Sequence, residues 1–217
     1  MIGAAAELYG ERHLRRGPSN SDHEDYDFVH AFRCKTLPPE IASWFNKMRP
    51  GNWPPTELFE AARQCPCFLV PDGHRDSLTK HLEWRITPNL IERMLMFSLN
   101  VVQRQCLVVL KMLKKQEFVK YINHDRCKFT TFNCKTALLF TLERTPPCVW
   151  EETRLLECIV RILHVIREFL FQGECPHYLV DNVDLFDGKL CRECQLNLER
   201  AIRRMVQDYI RAVPSAD

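Results

Sequence analysis

Apolar residues recur at three-and-four spacing through the middle of the chain: Leu90, Ile91, Met94, Leu95, Val101, Val102, Cys106, Val109, Met112 and Leu113. This pattern predicts one amphipathic helix within the stretch 84–115, starting at residue 88 and roughly 40 Å long at about 1.5 Å per residue. Thr87 is its expected N-cap, and Pro88 its first residue, where a missing N–H costs little. No glycine or proline follows within the stretch. A helix of that length needs other helices to cover its apolar stripe, because propensity alone does not hold it. The sequence supplies them. Phe132, Leu138, Leu139 and Leu142 predict a helix over 129–144. Leu155, Leu156, Ile159, Val160, Leu163, Ile166 and Leu170 predict another over 153–172, closed by Gly173. Leu196, Ile202, Met205, Val206 and Tyr209 predict a last one over 189–211.

The pattern upstream is shorter and mixed. A weak helix is expected over 1–16 and a polar loop over 17–27. The run 28–32 alternates like a strand, and Cys67-Phe68-Leu69-Val70 reads as a second one. Between them, Pro38-Pro39 and Pro54-Pro55 open short helices carrying Ile41, Trp44 and Phe45, then Leu58, Phe59 and Ala62. Segment 117–123 is expected to add a helical turn or two, and 176–180 to be extended. The fold class is therefore mostly α: a helical bundle over 83–217, preceded by a small α/β part over 1–82.

Composition narrows the function. The chain has 217 residues, 46% hydrophobic and 27% charged, which fits a packed soluble protein. A net charge of +2 gives no whole-chain attraction to nucleic acid or membrane, so any such attraction must be local. No run of about 18 apolar residues offers a membrane span, and no signal peptide is read at the N-terminus. Eleven cysteines, many inside helical patterns, read as reduced thiols and place the protein in the cytoplasm or nucleus. Cys191-x-x-Cys194 has ligand spacing, but it is the only such pair and falls in a helix, and His124-x-x-Cys127 with Cys134 is similarly thin. Taken singly they read as core or surface thiols, and no zinc is expected. No P-loop or G-x-G-x-x-G is present, and seven glycines make a glycine-built phosphate cradle a poor expectation.

Two charged stretches carry more. Asp22, Glu24, Asp25 and Asp27 could hold Mg²⁺, although an acidic loop is often merely solvated. Residues 104–128 hold seven Lys/Arg against Glu117 and Asp125, a local net of +5. Lys111, Lys114 and Lys115 suit phosphates of a nucleic-acid backbone; the plainer reading is the polar face of an amphipathic helix.

One order of residues points to a family. Asp27-Phe-Val-His-Ala-Phe-Arg-Cys34 is followed by Trp44, Asn52-Trp53-Pro54 and Leu69-Val70-Pro71. Glu83-Trp84-Arg85-Ile86, Val102-Gln103 and Leu110-Lys111 come next, then the run from Lys128 to Thr136, Trp150 and Cys175-Pro176-His177-Tyr178. This order resembles the male-abnormal-twenty-one-like proteins, relatives of cyclic GMP-AMP synthase, over about residues 17–212. The resemblance implies the helical C-terminal lobe of a nucleotidyltransferase-fold protein. It implies that Asp27 stands at the third acid position, a ligand of Mg²⁺ or Mn²⁺ in a complete enzyme. It also implies nucleotide contacts at Arg85 and Thr87 for base edges, Lys111 for a phosphate, and Thr131 and Phe132 for ribose and stacking. Phe132 stands where active relatives often have Tyr, and Pro88 where they have Phe. The zinc thumb of the vertebrate enzyme is an insertion with no counterpart in 99–115, so no metal ligand carries over.

No Gly-Ser pair precedes the acids in this sequence, and one acid cannot clamp two Mg²⁺ ions. The expectation is a catalytically incomplete protein that binds double-stranded RNA or DNA, or ATP and GTP at roughly millimolar strength or weaker. The alternatives are the C-terminal part of an active cyclic-dinucleotide synthase that senses nucleic acid in innate immunity, and a structural helical adaptor.

Overall fold

The computed structural model describes residues 14–16, 19–21, 27–47, 49–50 and 53–212. The chain divides into two units, Met1–Pro38 with Cys65–Leu90, and Pro39–Gln64 with Ile91–Asp217. The expected helix over 1–13, the acids Asp22, Glu24 and Asp25, and the turn residues Gly51 and Asn52 lie outside the described residues.

The first unit holds two antiparallel three-stranded sheets. One is β1 (Leu14–Arg16), β2 (Ser19–Ser21) and β3 (Asp27–Val29), in that order. Leu14 faces Ser21, and Ser21 in turn faces Asp27. The other is β4 (Phe32–Arg33), β5 (Phe68–Val70) and β6 (Arg85–Thr87). Phe32 faces Leu69, and Leu69 faces Ile86. Three expectations are corrected here. Residues 14–16 form a strand rather than a helix end. The strand expected over 28–32 is divided between the two sheets. Arg85–Thr87, placed by periodicity at a helix start, pairs as an edge strand because Ile86 and Thr87 are β-branched and meet β5. The loop before β6 is tied by Glu83, whose carboxylate accepts the Ser77 hydroxyl, the His74 N–H (2.8 Å) and the Thr79 hydroxyl (3.0 Å). These bonds, Ser77's first, hold the Glu83 carboxyl below its usual pKa. Gly73 is required there: a Cβ would run into the Lys80 backbone.

The second unit is helical. Helix α1 (Pro39–Ala42) continues into a 3₁₀ turn at Ser43–Asn46, and α2 spans Thr56–Arg63. Helices α3 (Asn89–Phe97) and α4 (Val101–Gln116) follow, then a 3₁₀ turn at Phe118–Tyr121. Helices α5 (Thr131–Arg144), α6 (Leu155–Gln172) and α7 (Arg192–Ala212) complete it. Helix α6 packs against α4, α5 and α7. Their shared core contains Leu110, Leu138, Leu142, Ile162, Ile166, Leu170, Leu198 and Ile202, all buried. Gly173 closes α6 in the left-handed region (φ +89°), as its position in the sequence predicts.

The long helix expected from Pro88 to Lys115 is two helices. Asn100 ends one register and starts another: its side chain accepts the Gln103 N–H while the Gln103 side chain accepts the Asn100 N–H, both at 2.9 Å. This reciprocal cap satisfies donors that a continuous helix would satisfy through its own carbonyls. Ser98 Oγ donates to the Leu95 carbonyl (2.8 Å) and helps close α3. The apolar stripe runs across the break: Ile91 and Leu95 of α3 and Val102, Cys106 and Leu110 of α4 are all buried. The same device opens α5, where Thr130 caps and Asn133 reciprocates.

The expected division at residue 82 also changes. Residues 39–64 belong with the helices. The Asp181 N–H donates to the Glu40 carbonyl (2.9 Å), and Trp44 sits edge-on to Tyr178 at 5.9 Å. The Arg49 guanidinium lies over Trp44 (4.5 Å) and Phe59 (5.1 Å), with Glu143 3.8 Å from its Nε. These aromatic rings need a core to bury them, and the helical unit provides it. Residues 176–180, expected to be extended, contribute one bridge, Pro176 with Asp184. Among the described residues no helix is long and apolar enough to cross a membrane.

Candidate functional site

The residues expected to contact a nucleotide fall in both units. In the sheet unit, Arg85 opposes Val70 across the ladder and pairs with Asp72 at 2.8 Å. Thr87 opposes Phe68 and is half-buried. In the helical unit, Lys111 is exposed on α4, Thr131 is exposed at the start of α5, and Phe132 is half-buried beside it. The Phe132 ring is not open on all sides. The His177 ring lies 5.4 Å away, and Lys135 Nζ, paired with Glu92 at 2.8 Å, sits 5.9 Å over it. Asp27 begins β3, facing Ser21.

The basic groups of the helical unit are better assembled than the sequence suggested. Lys111, Lys114 and Lys115 lie on the last two turns of α4, where cations also complement the helix C-terminus. Among the described residues none of the three has a carboxylate within 4.0 Å. Lys111 and Lys114 lie near enough to Cys134 of α5 to act on its thiol, although burial dominates and pushes that thiol up to about 12.

A second cluster was not legible as one. The 3₁₀ turn after α4 packs against α7. Between them lies a cleft of about 280 Å³, lined by Lys120, Tyr121 and Asn123 from one side and Asn197, Arg200 and Arg204 from the other. Lys120 is shared with Glu117 (2.8 Å), and Arg200 donates to Asn197 (3.3 Å). Arg204 has no carboxylate within 4.0 Å among the described residues. The signal was present: Arg200 and Arg204 are one helical turn apart, on one face of α7. What the sequence does not show is that Lys120 faces them. Three cations with two amides and a phenol form a donor-rich surface, the chemistry that contacts phosphate and sugar oxygens.

Two cysteine pairs also converge. His124 and Cys127 lie in the loop before α5, and Cys191 and Cys194 bracket the start of α7. The Cys191 N–H donates to Cys127 Sγ at 3.3 Å, and His124 Nε2 lies 3.2 Å from Glu193. The Glu193 carboxylate raises the His124 pKa. Hydrogen bonding, first from the Cys194 backbone, lowers that of Cys191, whereas burial pushes Cys194 up to about 11. Burial likewise raises Cys106 and Cys175 to about 12, as befits inert core thiols.

Residues 102–204 match the family model of the Mab-21 protein HhH/H2TH-like domain. The match begins one residue into α4 and ends within α7. It contains Lys111, Lys114, Lys115, both walls of the basic cleft and both cysteine pairs.

Proposed function

We propose that this chain, which carries the C-terminal domain of the Mab-21 family, binds duplex nucleic acid through that domain. The observation that supports this reading is the basic cleft between Phe118–Tyr121 and α7, together with the three lysines of α4, which have no carboxylate within 4.0 Å among the described residues. A chain of net charge +2 has little long-range pull, so clustering is what gives it an anion-attracting surface. Lysine and arginine meet the phosphates, while Asn123, Asn197 and Tyr121 offer hydrogen bonds to the backbone. A mononucleotide is a poorer fit. Phe132, the ring expected to stack on a base, already packs against His177. Docking duplex RNA or DNA on this face is the step that a nucleic-acid sensor in innate immunity requires.

The test is fluorescence anisotropy with labelled duplex RNA and duplex DNA across a salt series. Affinity is expected to fall as salt rises, with a log–log slope of about −0.9 per phosphate neutralised. The pair Arg200→Glu and Arg204→Glu, and separately Lys111→Glu with Lys114→Glu and Lys115→Glu, are expected to weaken binding at least tenfold and to flatten the slope. Unchanged affinity in both variants discards this surface and leaves the adaptor reading in its place.

A further inference from the structure

The fold brings together two ligand-spaced pairs that are 64 residues apart in sequence. His124-x-x-Cys127 turns back on itself, the Cys127 N–H donating to the His124 carbonyl at 2.9 Å. The next residue, Lys128, donates its N–H to the Lys189 carbonyl at 2.7 Å, which anchors this loop beside the entry to α7. There Cys191 precedes the helix and Cys194 lies in its first turn. The ligand atoms of His124, Cys191 and Cys194 all lie within 4.8 Å of one another. Cys127 stands beside this trio, its sulfur accepting the Cys191 N–H at 3.3 Å.

We propose that His124, Cys127, Cys191 and Cys194 form a Cys₃His site for a zinc-class divalent cation. Four features argue for it. The first is composition: three sulfurs and one imidazole exclude hard cations such as Mg²⁺ or Ca²⁺ and suit tetrahedral Zn²⁺. The second is spacing. Bonds of about 2.0–2.3 Å place tetrahedral ligands roughly 3.5–3.8 Å apart, so atoms within 4.8 Å need only side-chain rotation to close on an ion. The third is preparation for negative sulfur. The Cys191 N–H is aimed at the Cys127 sulfur at 3.3 Å, and the positive end of a 21-residue helix lies beside Cys191 and Cys194. The fourth is the second shell. Glu193 holds the His124 ring, as carboxylates beside metal-bound imidazoles do. Weighed singly, each pair lacked partners, which is why no zinc was expected from the sequence; each pair is the other's partner. Binding releases the thiol protons and changes no oxidation state.

The site would staple the loop after the Phe118–Tyr121 turn to the start of α7. Those two segments also wall the basic cleft, Asn123 being adjacent to His124.

The test uses the whole chain, expressed with added zinc and purified under reductant without chelator. Elemental analysis is expected to find about one zinc per chain. After stripping, Co²⁺ titration is expected to saturate at about one equivalent. It should show intense visible d–d bands and near-ultraviolet thiolate charge transfer, both removed by Zn²⁺. Cys127→Ser and Cys191→Ser are expected to lower metal affinity at least tenfold, while Cys148→Ser, an exposed cysteine outside the group, leaves it unchanged. Less than about a tenth of an ion per chain, with no thiolate band on Co²⁺ addition to the wild-type protein, overturns the site. So does a Cys191 disulfide that persists under reductant. None of these readouts involves nucleic acid, so the site and the proposed function fail independently.

Discussion

The helical unit and the sheet unit bury their apolar residues to different degrees. In the helices, Ile91, Leu110, Leu138, Ile162, Leu170 and Leu198 are fully enclosed. In the sheet unit, Cys67, Val70 and Pro88 are the buried apolar residues among those described, while Phe32, Leu78, Leu82 and Trp84 are exposed, Leu78 at 98%. Element length explains the contrast. Helices of 14 to 21 residues present a stripe that repeats over several turns, so four of them enclose one core. Strands of two or three residues put only one or two side chains on each face. Stability should therefore concentrate in the helices, with the sheets opening more readily. The basic cleft and the cysteine group both stand on the rigid part.

The comparison is broken most directly by truncating one side chain in each unit. Ile162→Ala leaves a cavity where α6 meets its neighbours and is expected to cost about 2–5 kcal/mol in denaturant unfolding. Phe32→Ala removes an exposed ring that meets the Trp84 ring at 5.4 Å, and is expected to cost about 1 kcal/mol or less. Equal losses would mean that the sheet unit carries as much of the stability as the bundle does.

A smaller effect sharpens the picture inside the bundle. Asn100→Ala removes one half of the reciprocal cap between α3 and α4 and is expected to cost about 1 kcal/mol. Hydrogen exchange should report it first at the amide of Gln103. No change in stability or exchange would mean that the break is held by packing rather than by the cap.

The smallest effect concerns the tie between residues 39–47 and the rest of the helical unit. Lys47 Nζ lies 2.7 Å from Asp181 Oδ1 and, with Ser43, depresses the Asp181 pKa. A depressed carboxyl stabilises the fold above its unfolded pKa of about 3.9, and that contribution is lost as pH falls through the lower folded value. Both partners are substantially exposed, so Lys47→Ala is expected to cost at most about 1 kcal/mol at pH 7. It should cost nothing once Asp181 is protonated. A penalty that persists in acid would point to packing by the lysine stem instead.

The three-and-four spacing of Leu138, Ile162, Leu170 and Ile202 determined the helices and the core they share, because burial of a stripe is a local pattern repeated along one element. Gly173 determined where α6 ends, since its backbone conformation is one that other residues resist. The lysines of α4 were visible as a run because they sit on consecutive turns. Periodicity could not show that Asn100 breaks a continuous stripe, since the stripe carries on across the cap. Nor could it show that Trp44 and Arg49 leave their sequence neighbours to meet Tyr178 and Glu143. The meeting of Lys120 with Arg200 and Arg204, and of His124 and Cys127 with Cys191 and Cys194, was decided by tertiary structure alone. Each half of those groups is an ordinary surface pattern, and only the packing of α7 against the turn after α4 makes them neighbours.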